Sequence, residues 1–262
     1  MKMARLATVC VIASLIGFCF AGPSAAQAND WSGFYAGASL GSRTATTNWK
    51  TCRLPLTISC GNPSALLWAN DNNASLDSTG VRIAGMLGIN LQVDNWVLGV
   101  ESDVGWGDNK ESRKGIPGAL VAGLPNSDVA EVKQTWDTSL RARAGYLVTP
   151  TFLLYGTGGV AWIHKKVNAV CADLFNGSNG NWCVSQTSRA SVSETPVGWT
   201  VGSGLEWMFA PRWTVRGEYR FSKFADTTAT FFKATPIDAL RVTSTQKTHI
   251  ASVGVAYLFN LP

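Results

Sequence analysis

The feature that most constrains this chain is a period-two alternation that recurs along most of its 262 residues. From Thr79 to Gln92 the odd positions include Val81, Ile83, Leu87, Ile89 and Leu91, while the even positions include Arg82, Asn90 and Gln92. From Trp96 to Trp106 one face carries Trp96, Leu98, Val100, Val104 and Trp106, and the other carries Glu101 and Asp103. From Trp136 to Tyr146, Leu140, Ala142 and Ala144 alternate with Asp137, Arg141 and Arg143. From Trp213 to Phe221, Val215 and Tyr219 alternate with Arg216, Glu218 and Arg220. Successive side chains of a strand point to opposite faces, so each stretch reads as a strand with one charge-free face. Trp31–Gly41, Phe152–Trp162, Val197–Phe209 (with Glu206 on its polar side) and His249–Phe259 bring the number of strands to eight. The pattern alone leaves the facing of 152–162 open.

The connections alternate in length. Short turns are predicted at Asp94–Asn95, Thr149–Pro150 and Ala210–Pro211–Arg212. Long polar connections are predicted over Ser42–Ser78, Gly107–Thr135, Ile163–Pro196 and Ala225–Lys247. Compact soluble domains avoid structureless loops of that length, whereas outer-membrane barrels pair short periplasmic turns with long extracellular loops. The expected fold is all-β: an eight-stranded antiparallel up-and-down transmembrane β-barrel with long extracellular loops.

A water-soluble eight-stranded barrel of the lipocalin type would turn its apolar faces inward, and a membrane barrel turns them outward. The aromatic residues discriminate. Trp96, Trp207, Trp213 and Tyr257 lie at the short-turn ends of the apolar faces, and Trp106, Trp136, Trp199 and Phe221 at the long-loop ends. Two aromatic rings separated by an aliphatic band read as interfacial girdles. Lipid also demands closure, because only a closed barrel leaves no backbone group unpaired in hydrocarbon. Charged residues make up only 15% of the chain and it has 11 tryptophans, which argues against disorder.

Residues 1–28 read as a cleaved signal peptide: Lys2 and Arg5, an apolar run from Leu6 to Ala21, then Ala26-Gln27-Ala28. Residues 29–262 form the barrel domain in that reading. Cys10 and Cys19 leave with the signal, and Cys52, Cys60, Cys171 and Cys183 remain. An exported chain meets an oxidising compartment, and the spacing favours Cys52–Cys60 and Cys171–Cys183 as loop staples. A zinc site is the competing reading, but no paired cysteine or histidine motif supports it.

Little chemistry is on offer. The polar faces point into the lumen and bring together Arg82, Glu101, Asp103, Asp137, Arg141, Arg143, Glu206, Arg216, Glu218 and Arg220, five of each sign. Eight strands leave a lumen that side chains fill, so a paired plug is expected, with a narrow polar conduction path as the alternative. His249 and Ser252 are three apart on one strand and face opposite sides, so no Ser/His pair is placed for hydrolysis. Gly156-Thr157-Gly158-Gly159 lacks the lysine and helix of a phosphate loop. No catalytic residue, metal or cofactor is expected. The net charge of +5 is unclustered and does not point to nucleic acid. Lys165, Lys166, Lys223, Lys233, Arg241 and Lys247 collect near the long-loop ends, either as a solvated rim or as candidate phosphate contacts with lipopolysaccharide. Trp49, Trp68 and Trp182 fall outside both girdles.

Several stretches carry a resemblance. Trp31-Ser32-Gly33-Phe34-Tyr35-Ala36-Gly37, Gly99-Val100-Glu101-Ser102-Asp103, Ser139-Leu140-Arg141-Ala142-Arg143-Ala144-Gly145-Tyr146, Leu154–Ala161, Gly198–Gly202 and Gly254-Val255-Ala256-Tyr257-Leu258-Phe259 resemble the small opacity-type, porin-like outer-membrane barrels of alphaproteobacteria. The resemblance covers the strands and none of the long loops. It implies a non-enzymatic outer-membrane protein of a Gram-negative envelope, contributing to envelope structure and the cell surface. The alternatives are a small-solute channel, or an adhesin or ligand-binding protein acting through the loops. The implied partners are outer-membrane lipid, lipopolysaccharide and the barrel assembly machinery. Chains of this kind usually end on an aromatic residue read by that machinery; here Asn260, Leu261 and Pro262 follow Phe259.

Overall fold

The computed structural model describes residues 30–53, 73–114, 129–171, 188–231 and 240–259. Ten strand segments run in chain order: β1 (Gly33–Arg53), β2 (Asn73–Val93), β3 (Trp96–Lys114), β4 (Val129–Thr149), β5 (Phe152–Cys171), β6 (Ser188–Glu194), β7 (Val197–Ala210), β8 (Trp213–Phe224), β9 (Thr227–Phe231) and β10 (Leu240–Phe259). All pairings are antiparallel, and the order β1-β2-β3-β4-β5-β7-β8-β10 closes through a β1–β10 ladder into a ring of eight. β6 extends β7 upward beside β5, and β9 extends β8 beside β10. The break before β7 falls at Pro196, whose missing amide cannot donate to a ladder. No ladder joins β6 to β9 among the described residues.

The tight turns lie where the sequence puts them. Asp94 and Arg212 adopt left-handed φ values of 53° and 68° at two of these short reversals. The long connections are shorter than the sequence reading expects. β1 and β2 reach Arg53 and Asn73, β3 and β4 reach Lys114 and Val129, and β5 runs to Cys171. Strand therefore occupies much of 42–78, 107–135, 163–196 and 225–247. The reason is a change of surroundings along each strand. Between the two aromatic levels the exposed apolar side chains face out; above the upper level Trp49, Leu76, Ala130, Val132, Val167, Ala169, Phe231 and Val242 face in and pack together. Bulges between Trp106 and Asn109 on β3, and between Gln134 and Asp137 on β4, fall at this crossover. A pattern read with one apolar face per strand loses phase there.

β5 also receives a facing. Leu153, Tyr155, Thr157, Ala161 and Ile163 are buried inward, and Leu154, Val160 and Trp162 lie outward. Gly156–Gly159 sits in mid-strand between β4 and β7, not in a loop before a helix.

Candidate functional site

Two places hold the residues of interest: the lumen and the outer wall. The lumen is filled in three layers. At the turn end, Trp31, Tyr35, Val97, Leu147, Leu153, Tyr155, Met208, Ala256 and Leu258 form an apolar layer. Trp31 enters from the segment before β1 and donates its indole N–H to the Pro150 carbonyl at 3.1 Å. At the loop end lies the second apolar cluster, with Trp49 stacked on Phe231 at 6.2 Å between ring centroids.

Between them the ten charged side chains named from the sequence meet in one network. Uppermost, Asp137 accepts from Arg82 at 2.6 Å and from Arg220 at 3.2 Å. One level down, Asp103 takes Arg82, Ser139 and Arg220, the last at 2.7 Å. In the middle, Glu101 binds Arg141 and Arg216, and the Tyr35 hydroxyl donates to it at 2.7 Å. Arg141 also reaches Glu218 at 2.6 Å. Lowest, Arg143 pairs with Glu206 and lies over the Tyr155 ring, 4.0 Å from its centroid. Removing these ions from water is costly unless each is paired, and here each has an opposite charge in reach.

The sequence reading missed an eleventh member. Arg43 is wholly buried and reaches Asp137 at 2.7 Å and Asn109 at 3.0 Å. Its position falls in the 42–78 stretch that reads as a long connection, although Tyr35, Gly37, Ser39, Gly41 and Arg43 form a period-two inward row on β1. Six arginines now face five carboxylates. The lumen glycines do not leave room. A Cβ on Gly88 would stand 2.3 Å from Tyr35 Cζ, and one on Gly204 would stand 2.5 Å from Tyr155 Cζ. Each tyrosine lies over the glycine of the adjoining strand, so the freed volume is already taken.

On the outer wall the aromatic residues lie at two levels. Trp96, Trp207, Trp213 and Tyr257 face outward near the turns, with Trp96 against Tyr146 at 5.3 Å and Trp213 against Tyr257 at 5.0 Å. Trp106, Trp136, Trp199 and Phe221 face outward at the upper level. Both histidines join them: His164 stacks on Trp136 at 5.5 Å, and His249 lies 5.1 Å from Phe221. Between the levels the wall is apolar, with Val81, Ile83, Leu87 and Val253 each at least 60% exposed.

Directly above the upper aromatics, Lys166 and Lys223 are exposed and Lys247 is half-buried, all pointing outward; Arg241 is exposed higher on β10. Lys165 is a correction. It is buried inside the barrel, donates to Thr227 and Ser244 hydroxyls at 2.6 and 2.7 Å and approaches Glu194 at 3.7 Å. It cannot touch an outer lipid, because it falls on the inward phase of β5. Burial pulls its ammonium below the usual lysine range, against the pull of Glu194. Lys110 pairs outside with Glu131 at 2.8 Å, an interaction that lowers the Glu131 carboxyl.

Residues 1–29, Cys60, Trp68, Trp182, Cys183 and Lys233 lie outside the described residues, as do the side chains of Cys52 and Cys171; Cys52 is the last residue but one of β1, and Cys171 ends β5. Among the described residues no group of His, Cys, Asp or Glu is placed to hold a metal ion.

The chain is 29% identical over 191 residues to a 31 kDa outer-membrane immunogenic protein of Brucella melitensis, covering 71% of this chain and 70% of that protein. It is 33% identical over 137 residues to a 22 kDa outer membrane protein of Rhizobium leguminosarum, covering 52% and 49%. Among solved structures, the outer membrane protein OprG of Pseudomonas aeruginosa shares the fold at a TM-score of 0.54 and 12% identity, covering 88% of this chain and 99% of that one. Residues 11–259 match the model of the outer membrane protein beta-barrel domain, so the chain belongs to that family and is a protein of the Gram-negative outer membrane.

Proposed function

We propose that this protein is a non-enzymatic, closed barrel that contributes to envelope structure and carries its long loops at the cell surface. The observation that supports this reading is the filled lumen: apolar at both ends, with a paired charge network between. Ions need a continuous hydrated path, and an eight-stranded barrel has no width to spare once its side chains interlock. The strands continue beyond the upper aromatics; Val129 to Trp136 alone rises roughly 16 Å at a tilt near 45°. Because its apolar side chains face in and its charges, Lys165 apart, face out, that extension is built like a water-soluble barrel and holds the loops away from the membrane. Relatives named as immunogenic fit a surface role. The proposed route to the membrane is export on the 1–28 signal, followed by insertion by the barrel assembly machinery.

Planar-bilayer recording of the refolded monomer tests the reading. The expected result is no steady current. Porin-sized, voltage-stable conductance from the unmodified monomer would overturn it and favour the small-solute channel.

A further inference from the structure

The outer wall over β8 and β10 carries an arrangement that a solvated rim does not account for. Lys223 and Lys247 are directly opposed across the β8–β10 ladder, and both point outward. Like charges directly opposite one another on a sheet repel. Where Lys110 and Lys133 are opposed across the β3–β4 ladder, by contrast, each charge is neutralised: Lys110 has Glu131 at 2.8 Å, and Lys133 has Asp108 at 3.1 Å. Among the described residues no carboxylate lies within ion-pair distance of Lys223 or Lys247. The nearby carboxylate of Asp226 accepts the Thr245 hydroxyl at 2.5 Å instead.

The pair stands on an aromatic floor. Two residues below it on the same faces are Phe221 and His249, themselves opposed across the ladder. Trp199 is the β7 neighbour of Lys223, and its ring lies 5.4 Å from that of Phe221. The His249 ring is positioned by the Tyr219 hydroxyl, 2.6 Å from its Nδ1. Aromatic residues of this kind mark the headgroup level of a bilayer. Below, the wall is apolar through Tyr219, Val253 and Val255, and it carries a notch at Gly217, where an added Cβ would meet no atom within 4 Å.

The geometry points to a lipid site: we propose that Lys223 and Lys247 clamp one phosphate of a phosphorylated glycolipid of the outer leaflet, with its acyl chains lying down the wall past Gly217. Two ammonium groups on adjacent strands share one doubly acceptor-rich anion, which turns their repulsion into attraction. The aromatic floor fixes the depth of the headgroup, and the notch receives hydrocarbon. The site rests on the outward facing of this wall and not on the closed lumen.

The test uses the full refolded protein in detergent, titrated with lipid A bearing both phosphates and with the same lipid dephosphorylated. The protein should bind the phosphorylated form at least about tenfold more tightly, a preference worth about 1.4 kcal/mol. Lys223→Gln with Lys247→Gln keeps side-chain bulk, removes both charges and should abolish the preference; Lys166→Gln on β5, two strands round the ring from β8, should keep it. Conductance should be the same in all three proteins, so failure here is distinct from failure of the closed-barrel reading. The site is refuted if the wild type does not discriminate the two lipids, or if the double variant discriminates as well as the wild type. Saturation of the wild type by inorganic phosphate alone, with loss of lipid preference, would assign the lysines to a free anion and overturn the lipid site.

Discussion

At the residue scale, the network depends on carboxylates shared between arginines. Glu101 is the carboxylate partner of Arg216 among the described residues, while Arg141 has Glu218 as well. Glu101→Ala therefore strands Arg216 in the lumen. The expected cost is about 3–5 kcal/mol in urea unfolding from lipid vesicles, the range for breaking a buried pair from one side. Adding Arg216→Ala should recover part of it, and strict additivity of the two changes would refute the coupling. Neighbouring positions on β2 separate the two faces of the wall. Leu87 is 65% exposed on the lipid side, and Leu87→Arg should cost about 2–4 kcal/mol or block assembly. Gly88→Ser, one residue on, meets the Tyr35 ring and should also destabilise the barrel. Gly88 faces the lumen, where a polar side chain would be better tolerated than on the lipid side if there were space for it. The packing of Tyr35 from β1 removes that tolerance. Gly88→Ser folding with wild-type stability would show that Tyr35 can move aside.

At the element scale, the segments above the upper aromatics behave as a soluble barrel attached to a membrane one. Lys165 ties them together, since its ammonium leaves β5 and reaches hydroxyls on β9 and β10. Its folded-state affinity for a proton is below the usual value of 10.5. Between the depressed folded value and 10.5 the unfolded chain binds more protons than the native one, so this group makes stability rise with pH over that alkaline window. Lys165→Met removes the dependence. The urea midpoint followed through tryptophan fluorescence should climb more steeply toward pH 10.5 in the wild type than in the variant. Equal slopes would show that burial is not acting on this lysine.

At the scale of the whole molecule, the aromatic levels fix which end faces out. A cysteine replacing Lys110, above the upper level, should react with an impermeant maleimide on intact cells. A cysteine replacing Asn95, in the β2–β3 turn, should react only after the outer membrane is permeabilised. The reverse pattern would invert the protein in the membrane and remove the argument for an outer-leaflet lipid at Lys223 and Lys247.

The sequence by itself determined the membrane-spanning half. Wherever lipid contacts one face and a polar lumen the other, the medium imposes a strict period of two, and β2, β3, β4 and β8 show it residue by residue. The ten lumen charges follow from the same phase. Other features needed the tertiary structure, each for a physical reason. Lys165 and Arg43 enter the lumen because β5 and β1 continue past the upper aromatics with their inward phase unbroken, through stretches whose polar composition reads as loop. The glycine faces gain no free space because Tyr35 and Tyr155 arrive from adjoining strands, a matter of register between segments tens of residues apart. The opposition of Lys223 and Lys247 is likewise a product of register: each lies on an ordinary alternating strand, and only the β8–β10 ladder sets one against the other.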